Sequence, residues 1–243
     1  MTTTLFEWRA PGPYRVAFST RVGGASEGQF ASLNLGIKTD DEASRVLENR
    51  RRLAEAIGAD PRSARMAMQV HGAVVAEAEP GDILETPRTW EPCDGLWSDR
   101  PGQAMLLLTA DCLPVALART SGSPRLALLH VGWRGVLAGI LEAGVAALAP
   151  GSVAAAIGPG IGSCCYEVGE EVAGPFRARF GDDVLEGGRL DLRLAAERAL
   201  RTAGCRDVEQ VDLCTFCEEG LFFSHRRDRG RTGRQGVMGY VAR

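Results

Sequence analysis

Histidine is scarce in this chain, with three copies among 243 residues. Imidazole is the usual copper ligand, and an enzyme with several copper centres needs far more of it than three side chains supply. That shortage excludes a multicopper oxidase. A basic excess is missing as well: 28 Lys and Arg stand against 31 Asp and Glu, for a net charge of −3. A general nucleic-acid binder needs such an excess for its phosphate contacts, so nucleic acid is not the expected partner, although a local basic patch survives the argument. No basic segment followed by an apolar core opens the chain, so no secretory signal is expected. Nor is there an unbroken membrane span. The run from Ala143 to Tyr166 has no formal charge, but Pro150, Pro159 and five glycines would break a spanning helix.

What is present is ordinary for a globular protein, at 45% apolar and 24% charged residues. Seven cysteines, an odd number without the spacing of a disulfide scaffold, point to reduced thiols and a cytoplasmic protein. No repeat or low-complexity linker divides the chain, so a single domain spanning 1–243 is expected.

The coarse pattern is mixed α and β. Apolar residues at helical spacing over 41–57 predict a helix whose face carries Val46, Leu47, Arg50, Leu53, Ala54 and Ile57. Alternation over 65–77 predicts a strand with Met66, Met68 and Val70 on one side and Gln69 and His71 on the other. The apolar run 104–109 reads as a buried strand that stops at Asp111 and Cys112, with Pro114 then interrupting regular pairing. A strand over 125–131 places Leu126, Leu128 and His130 on one face. A helix over about 136–148 and a short strand over 153–157 follow, leading into a glycine-rich loop. Helices are also expected over 170–180 and 192–203, the latter capped by Asp191, with strands over 208–213 and 236–241. The basic stretch 225–235 between these strands reads as an exposed loop.

Two of the three histidines stand in QVHG (69–72) and HVGWRG (130–135), with ADC (110–112) between them. His71, Cys112 and His130 offer two imidazoles and a thiolate, a set that suits zinc with a fourth position open, as in catalytic sites. Cys112 lies 41 residues after His71 and 18 before His130, which matches no short zinc-finger template. The competing reading is two hydrogen-bonded histidines and an inert buried cysteine. Zinc would lower the pKa of its water to about 7, and Asp111, beside the thiolate, would orient that water or move its proton; otherwise Asp111 is a strand-end cap. Cys214 and Cys217 form a lone CxxC. No second pair stands at suitable spacing, so they read as core or loop thiols.

Eight phrases in order, FSTRVGG, SLNLG, ENR, QVHG, TADCLPV, HVGWRG, IGPGIGSCCYEVG and FFSHRRDRGRTGRQ, resemble the bacterial laccase-domain family. That family is also called polyphenol oxidase-like, purine nucleoside phosphorylase or peptidoglycan editing factor. The resemblance runs from about residue 18 to 236. It implies metal binding by His71, Cys112 and His130, with zinc expected and copper as the alternative. It implies an α+β fold, a single domain of mixed β-sheets with helices packed outside. It also implies phosphorolysis of adenosine, inosine, guanosine and methylthioadenosine, and deamination of adenosine. Two positions depart from the family's pattern: His225 stands where tyrosine is common, and Cys164 doubles the cysteine.

Deamination needs water to attack C6 of the purine, and zinc beside a carboxylate supplies that elsewhere. Phosphorolysis needs phosphate held by arginine forks or backbone amides. Arg21, Arg50, Arg134 and Arg226 are the candidates, Arg134 foremost because it lies four residues after His130; residues 158–162 offer amides. Gln69 is expected to contact base or ribose, or to orient His71. Two further readings stay open. In one, Cys112 is the nucleophile and His130 the base of an amidase that edits peptidoglycan precursors. In the other, the protein binds metal without catalysis.

Overall fold

The computed structural model describes residues 3–85 and 90–243. Its strands are β1 (Leu5–Trp8), β2 (Tyr14–Ser19), β3 (Val75–Glu77), β4 (Gly95–Ser98), β5 (Met105–Thr109), β6 (Leu113–Arg119), β7 (Leu126–Val131), β8 (Val153–Ile157), a small hairpin β9 (Leu185–Glu186) and β10 (Arg189–Leu190), β11 (Asp207–Gln210) and β12 (Gln235–Val241). The helices are α1 (Ala43–Ala56), α2 (Trp133–Ala138), α3 (Ile140–Ala147), α4 (Glu170–Phe180) and α5 (Leu192–Thr202). One sheet has the order β1-β2-β12-β5 and is antiparallel throughout. The other, β11-β8-β6-β7-β4-β3, is mixed.

Period-two alternation sorts the strand residues into layers. From β6 and β7, Leu113, Val115, Leu117, Leu129 and Val131 face a core shared with Val136, Ile140, Phe176, Leu192 and Leu200 of α2 to α5. The opposite parity, Ala116, Ala118, Leu126 and Leu128, packs against Val16, Phe18, Leu107 and Val237 of the four-stranded sheet. Alanines 116, 118, 154 and 156 let the two sheets approach across that seam. The outer face of the four-stranded sheet, through Leu106 and Met238, is covered by Leu53 and Ala54 of α1 with Leu33 and Leu35. The architecture is thus helix, sheet, sheet, helices: an α+β fold of mixed sheets with the helices outside, as expected. Among the described residues no helix is long and apolar enough to cross a membrane.

Several expectations need correction. Residues 65–74 are not a strand: isolated bridges at Arg65 and Met68 precede a turn, and only Val75–Glu77 pairs regularly. Val70 is 52% exposed because that turn takes it off the sheet. Pro114 does not interrupt pairing; it sits inside β6 opposite His130, one residue from the strand's start, where its missing N–H is tolerated. The expected helix over 136–148 starts earlier, at Trp133, and is broken at Gly139, whose φ of +91° is open chiefly to glycine. The strand expected over 208–213 is Asp207–Gln210. Within the basic loop, Thr232 and Gly233 are buried against the sheet ends.

Candidate active site

One end of the sandwich gathers the turn before β3, the β5–β6 turn, the end of β7 and the loop before β12. His71 lies in the first, Cys112 in the second, immediately before β6, and His130 next to the end of β7. His130 has the parity of Leu126 and Leu128, as the alternation implied, so its ring emerges where the two sheets part. Ligand atoms of His71, Cys112 and His130 all lie within 4.8 Å of one another. The imidazoles meet edge to face, centroids 4.7 Å apart. His71 and Asp111 both hold positive φ, +62° and +84°, an uncommon state for non-glycine residues that the surroundings must enforce. Gly132 makes the convergence possible: a Cβ there would meet Cys112 Sγ at 3.1 Å and His71 Cδ2 at 3.3 Å. Two imidazoles and one thiolate at this separation fit zinc.

Asp94, which sequence reasoning missed, ties the site together. Fully buried, it accepts from His130 Nδ1 at 2.8 Å and from the backbone N–H groups of Val70, His71 and Gly72 at 3.1, 2.9 and 2.7 Å. One carboxylate therefore fixes the His130 tautomer, leaving Nε2 as its lone-pair nitrogen, and clamps the turn that presents His71. Burial pushes the Asp94 pKa up, but bonds from His130, Gly72 and Val70 and the charge of His130 outweigh it and hold the carboxyl below its ordinary value. Burial likewise opposes charge on Cys112 and His130, yet their mutual attraction wins: the thiol is pulled down and the imidazole up. The only sequence cue to Asp94 is an acidic residue between Cys93 and Gly95, a context without periodicity.

The three ligand candidates line a cavity of about 530 Å³. Lys38, Arg50, Arg134, Arg226 and Arg234 also line it, against one carboxylate among the described lining residues, Asp111. Trp90, Trp133 and Tyr166 supply aromatic wall. Arg50 is fully buried, donating Nε to Leu35 O and Nη1 to Ile83 O, while its Nη2 has no partner among the described residues. Burial pushes its pKa down to about 10, which leaves it cationic at neutral pH. Thr109 Oγ1, in the same wall, is also buried without a partner among the described residues. Tyr166, half-buried and near Cys112 and Asp111, has its phenol pushed up to about 12 by its loss of solvent and by those two groups, despite Arg226.

The expected substrate residues divide. Arg134 reaches the cavity, its guanidinium 4.3 Å from the Trp133 ring. Arg226 also lines it, over Tyr166. Arg21 does not: it donates to the carbonyls of Ala31, Glu219 and Gln29 and covers Phe223, holding loops together away from the cavity. Gln69 lines the cavity, but both ends of its amide are engaged with Leu108, donating to its O at 2.6 Å and accepting from its N at 2.9 Å. It splices the His71 segment to β5 and, among the described residues, makes no hydrogen bond to a histidine. Asp111 lines the cavity with each oxygen already holding a donor: Thr215 Oγ1 on one, the Arg226 N–H on the other, both at 2.7 Å. Lys38, Arg234, Trp133 and Tyr166 were missed, since nothing in a local charge or ring shows which loop folds inward.

Residues 15–241 match the family described as multi-copper polyphenol oxidoreductase laccase. The chain belongs to that family. A relative from Pseudomonas aeruginosa called purine nucleoside phosphorylase PA4543 is 40% identical over 238 residues, 94% of this chain and 93% of that protein. One from Escherichia coli strain K12, called purine nucleoside phosphorylase YfiH, is 36% identical over 240 residues, 94% of each. The crystal structure of Bacillus licheniformis hypothetical protein YfiH matches with a TM-score of 0.86 at 32% identity, covering 96% of this chain and 97% of that one. The several coppers in the family's description do not fit this member: three histidines cannot ligate a multicopper centre.

Proposed function

We propose that this laccase-family member is a zinc-dependent purine nucleoside phosphorylase that also deaminates adenosine. The observation that carries the reading is the cavity itself, where five cations face one carboxylate beside two imidazoles, a thiolate and an aromatic wall. Such a site suits an inorganic anion together with a neutral, flat, polar ligand. Its volume lies in the range of small-molecule sites, and the relatives' names point to the same pair of substrates.

Zinc held by His71, Cys112 and His130 would supply Lewis acidity toward water or a substrate oxygen. The protein's own residues do the rest. The Arg50 Nη2, which has no partner among the described residues, holds phosphate with Lys38 and Arg234 by charge-assisted hydrogen bonds. Trp133 and Tyr166 flank the purine. In phosphorolysis a phosphate oxygen bonds to the anomeric carbon as the glycosidic carbon–nitrogen bond breaks; the electron pair passes to the base, which gains a proton. In deamination a water oxygen bonds to C6 and the amino group leaves as ammonia. Asp111, held by Thr215 and the Arg226 N–H, keeps Cys112 in place and, as the carboxylate among the described lining residues, moves the proton.

Incubation with adenosine, with and without phosphate, tests the reading. Phosphate-dependent adenine and ribose 1-phosphate, with inosine in either case, are expected. Absence of all three products from zinc-loaded protein contradicts it.

A second reading is favoured by one contact. Cys112, His130 and Asp94 stand in the order nucleophile, base, orienting carboxylate, with Asp94 2.8 Å from His130 Nδ1, as an amidase acting on peptidoglycan precursors would require. Its mark is covalent labelling of Cys112 that substrate blocks and zinc does not.

A further inference from the structure

We propose that Cys164, Cys165, Cys214 and Cys217 form a second metal site, a structural zinc centre of four thiolates that staples one wall of the cavity. The four sulfurs all lie within 4.8 Å of one another. Cys217 Sγ is 3.6 Å from Cys164 Sγ and 3.4 Å from Cys165 Sγ. Four sulfurs at about 2.3 Å from a tetrahedral zinc stand roughly 3.8 Å apart, close to these separations. A disulfide brings sulfurs to about 2.05 Å and takes one partner, whereas Cys217 stands near two at once. The CxxC at 214–217 therefore does have a second pair, Cys164 and Cys165, some fifty residues earlier. Spacing along the chain hides it, because the two loops are brought together by tertiary contacts such as the bridge between Gly160 and Cys214.

The backbone around the sulfurs has the form of a ligand cradle. Both pairs sit in turns, and the Gly162 N–H donates to Cys214 Sγ at 3.2 Å, the kind of outer contact that steadies a thiolate ligand. A Cβ at Gly162 would come within 3.2 Å of Cys164 Sγ and 3.5 Å of Cys214 Sγ, so the glycine backbone lies directly against the sulfurs. Arg227 donates Nη1 to the carbonyls of Thr215 and Phe216, between the two cysteines of the CxxC, and fixes that turn. Four cysteines, with no carboxylate in the group among the described residues, match the donor set of a closed structural zinc site and not a catalytic one.

The joined segments both serve the cavity. One carries Ile161 and Tyr166 in its wall; the other carries Thr215, which donates to Asp111. A metal here would lock those residues together without touching substrate.

The test is metal analysis of protein purified under reductant without added chelator. The Cys164→Ser/Cys217→Ser protein should hold one zinc fewer per chain than wild type. Cobalt added to metal-free His71→Ala/His130→Ala protein should give the intense thiolate charge-transfer band of a four-sulfur tetrahedral centre. On the wild-type chain, where folding is not in question, a thiol alkylator should spare these four cysteines until a chelator is added. Unchanged zinc in the double variant, iron in place of zinc, alkylation at one rate with or without chelator, or two disulfides among the four thiols would each overturn the proposal.

Discussion

Replacing Asp94 by Asn is expected to lower zinc affinity at the His71–Cys112–His130 site by about 10–100-fold, the usual cost of losing a carboxylate behind a metal-bound histidine. Turnover should fall with it. The loss has two parts. An amide turns one of its ends into a donor, which faces either the His130 Nδ1–H or the N–H groups of the 70–72 turn, and neither can accept. Asp94→Ala goes further and leaves four donors without their acceptor, at about 1–3 kcal/mol for each that water cannot reach. Titration with a competing zinc chelator and thermal melts with and without metal measure both parts. Unchanged zinc affinity in Asp94→Asn would show that Asp94 does not organise the ligands.

Arg50→Met should raise KM for phosphate roughly ten- to hundredfold with little change in KM for the nucleoside. That range follows from a charge-assisted hydrogen bond worth about 1.5–3 kcal/mol. The variant separates binding from folding, because Arg50 carries an unusual cost: a fully buried guanidinium with two carbonyl partners and, among the described residues, no carboxylate. Removing such a charge is often neutral or stabilising when the replacement packs well. The variant should therefore keep its melting temperature in phosphate-free buffer and lose the upward shift that phosphate gives wild type. An equal phosphate-induced shift in both proteins would place the anion elsewhere.

The elements legible in the sequence were those whose signal is periodic. The strand 153–157 and the helix 170–180 fall at their expected ends, and α5 opens after Asp191, which accepts from the Leu194 N–H as a cap should. Alternation in 125–131 correctly put His130 on the face of Leu126 and Leu128. The readings failed where one interaction between distant residues decides the outcome. His71 is presented by a turn bound to Asp94, not by a strand, and local alternation cannot show that. Arg21 and Arg50 were equal candidates as basic residues, yet Arg21 finds three loop carbonyls and Arg50 reaches the cavity. β1 and β2 were overlooked: they pair with each other as a local hairpin, but the partner that holds β2 in its sheet, β12, lies more than two hundred positions away.

Three side chains from separate stretches converging on one metal is the claim on which the catalytic reading rests. Zinc content per chain, measured in wild type beside His71→Ala, Cys112→Ala and His130→Ala, tests it most directly. Each variant should hold one zinc fewer than wild type while keeping any metal bound by the four remote cysteines. The same content in all four proteins would contradict it.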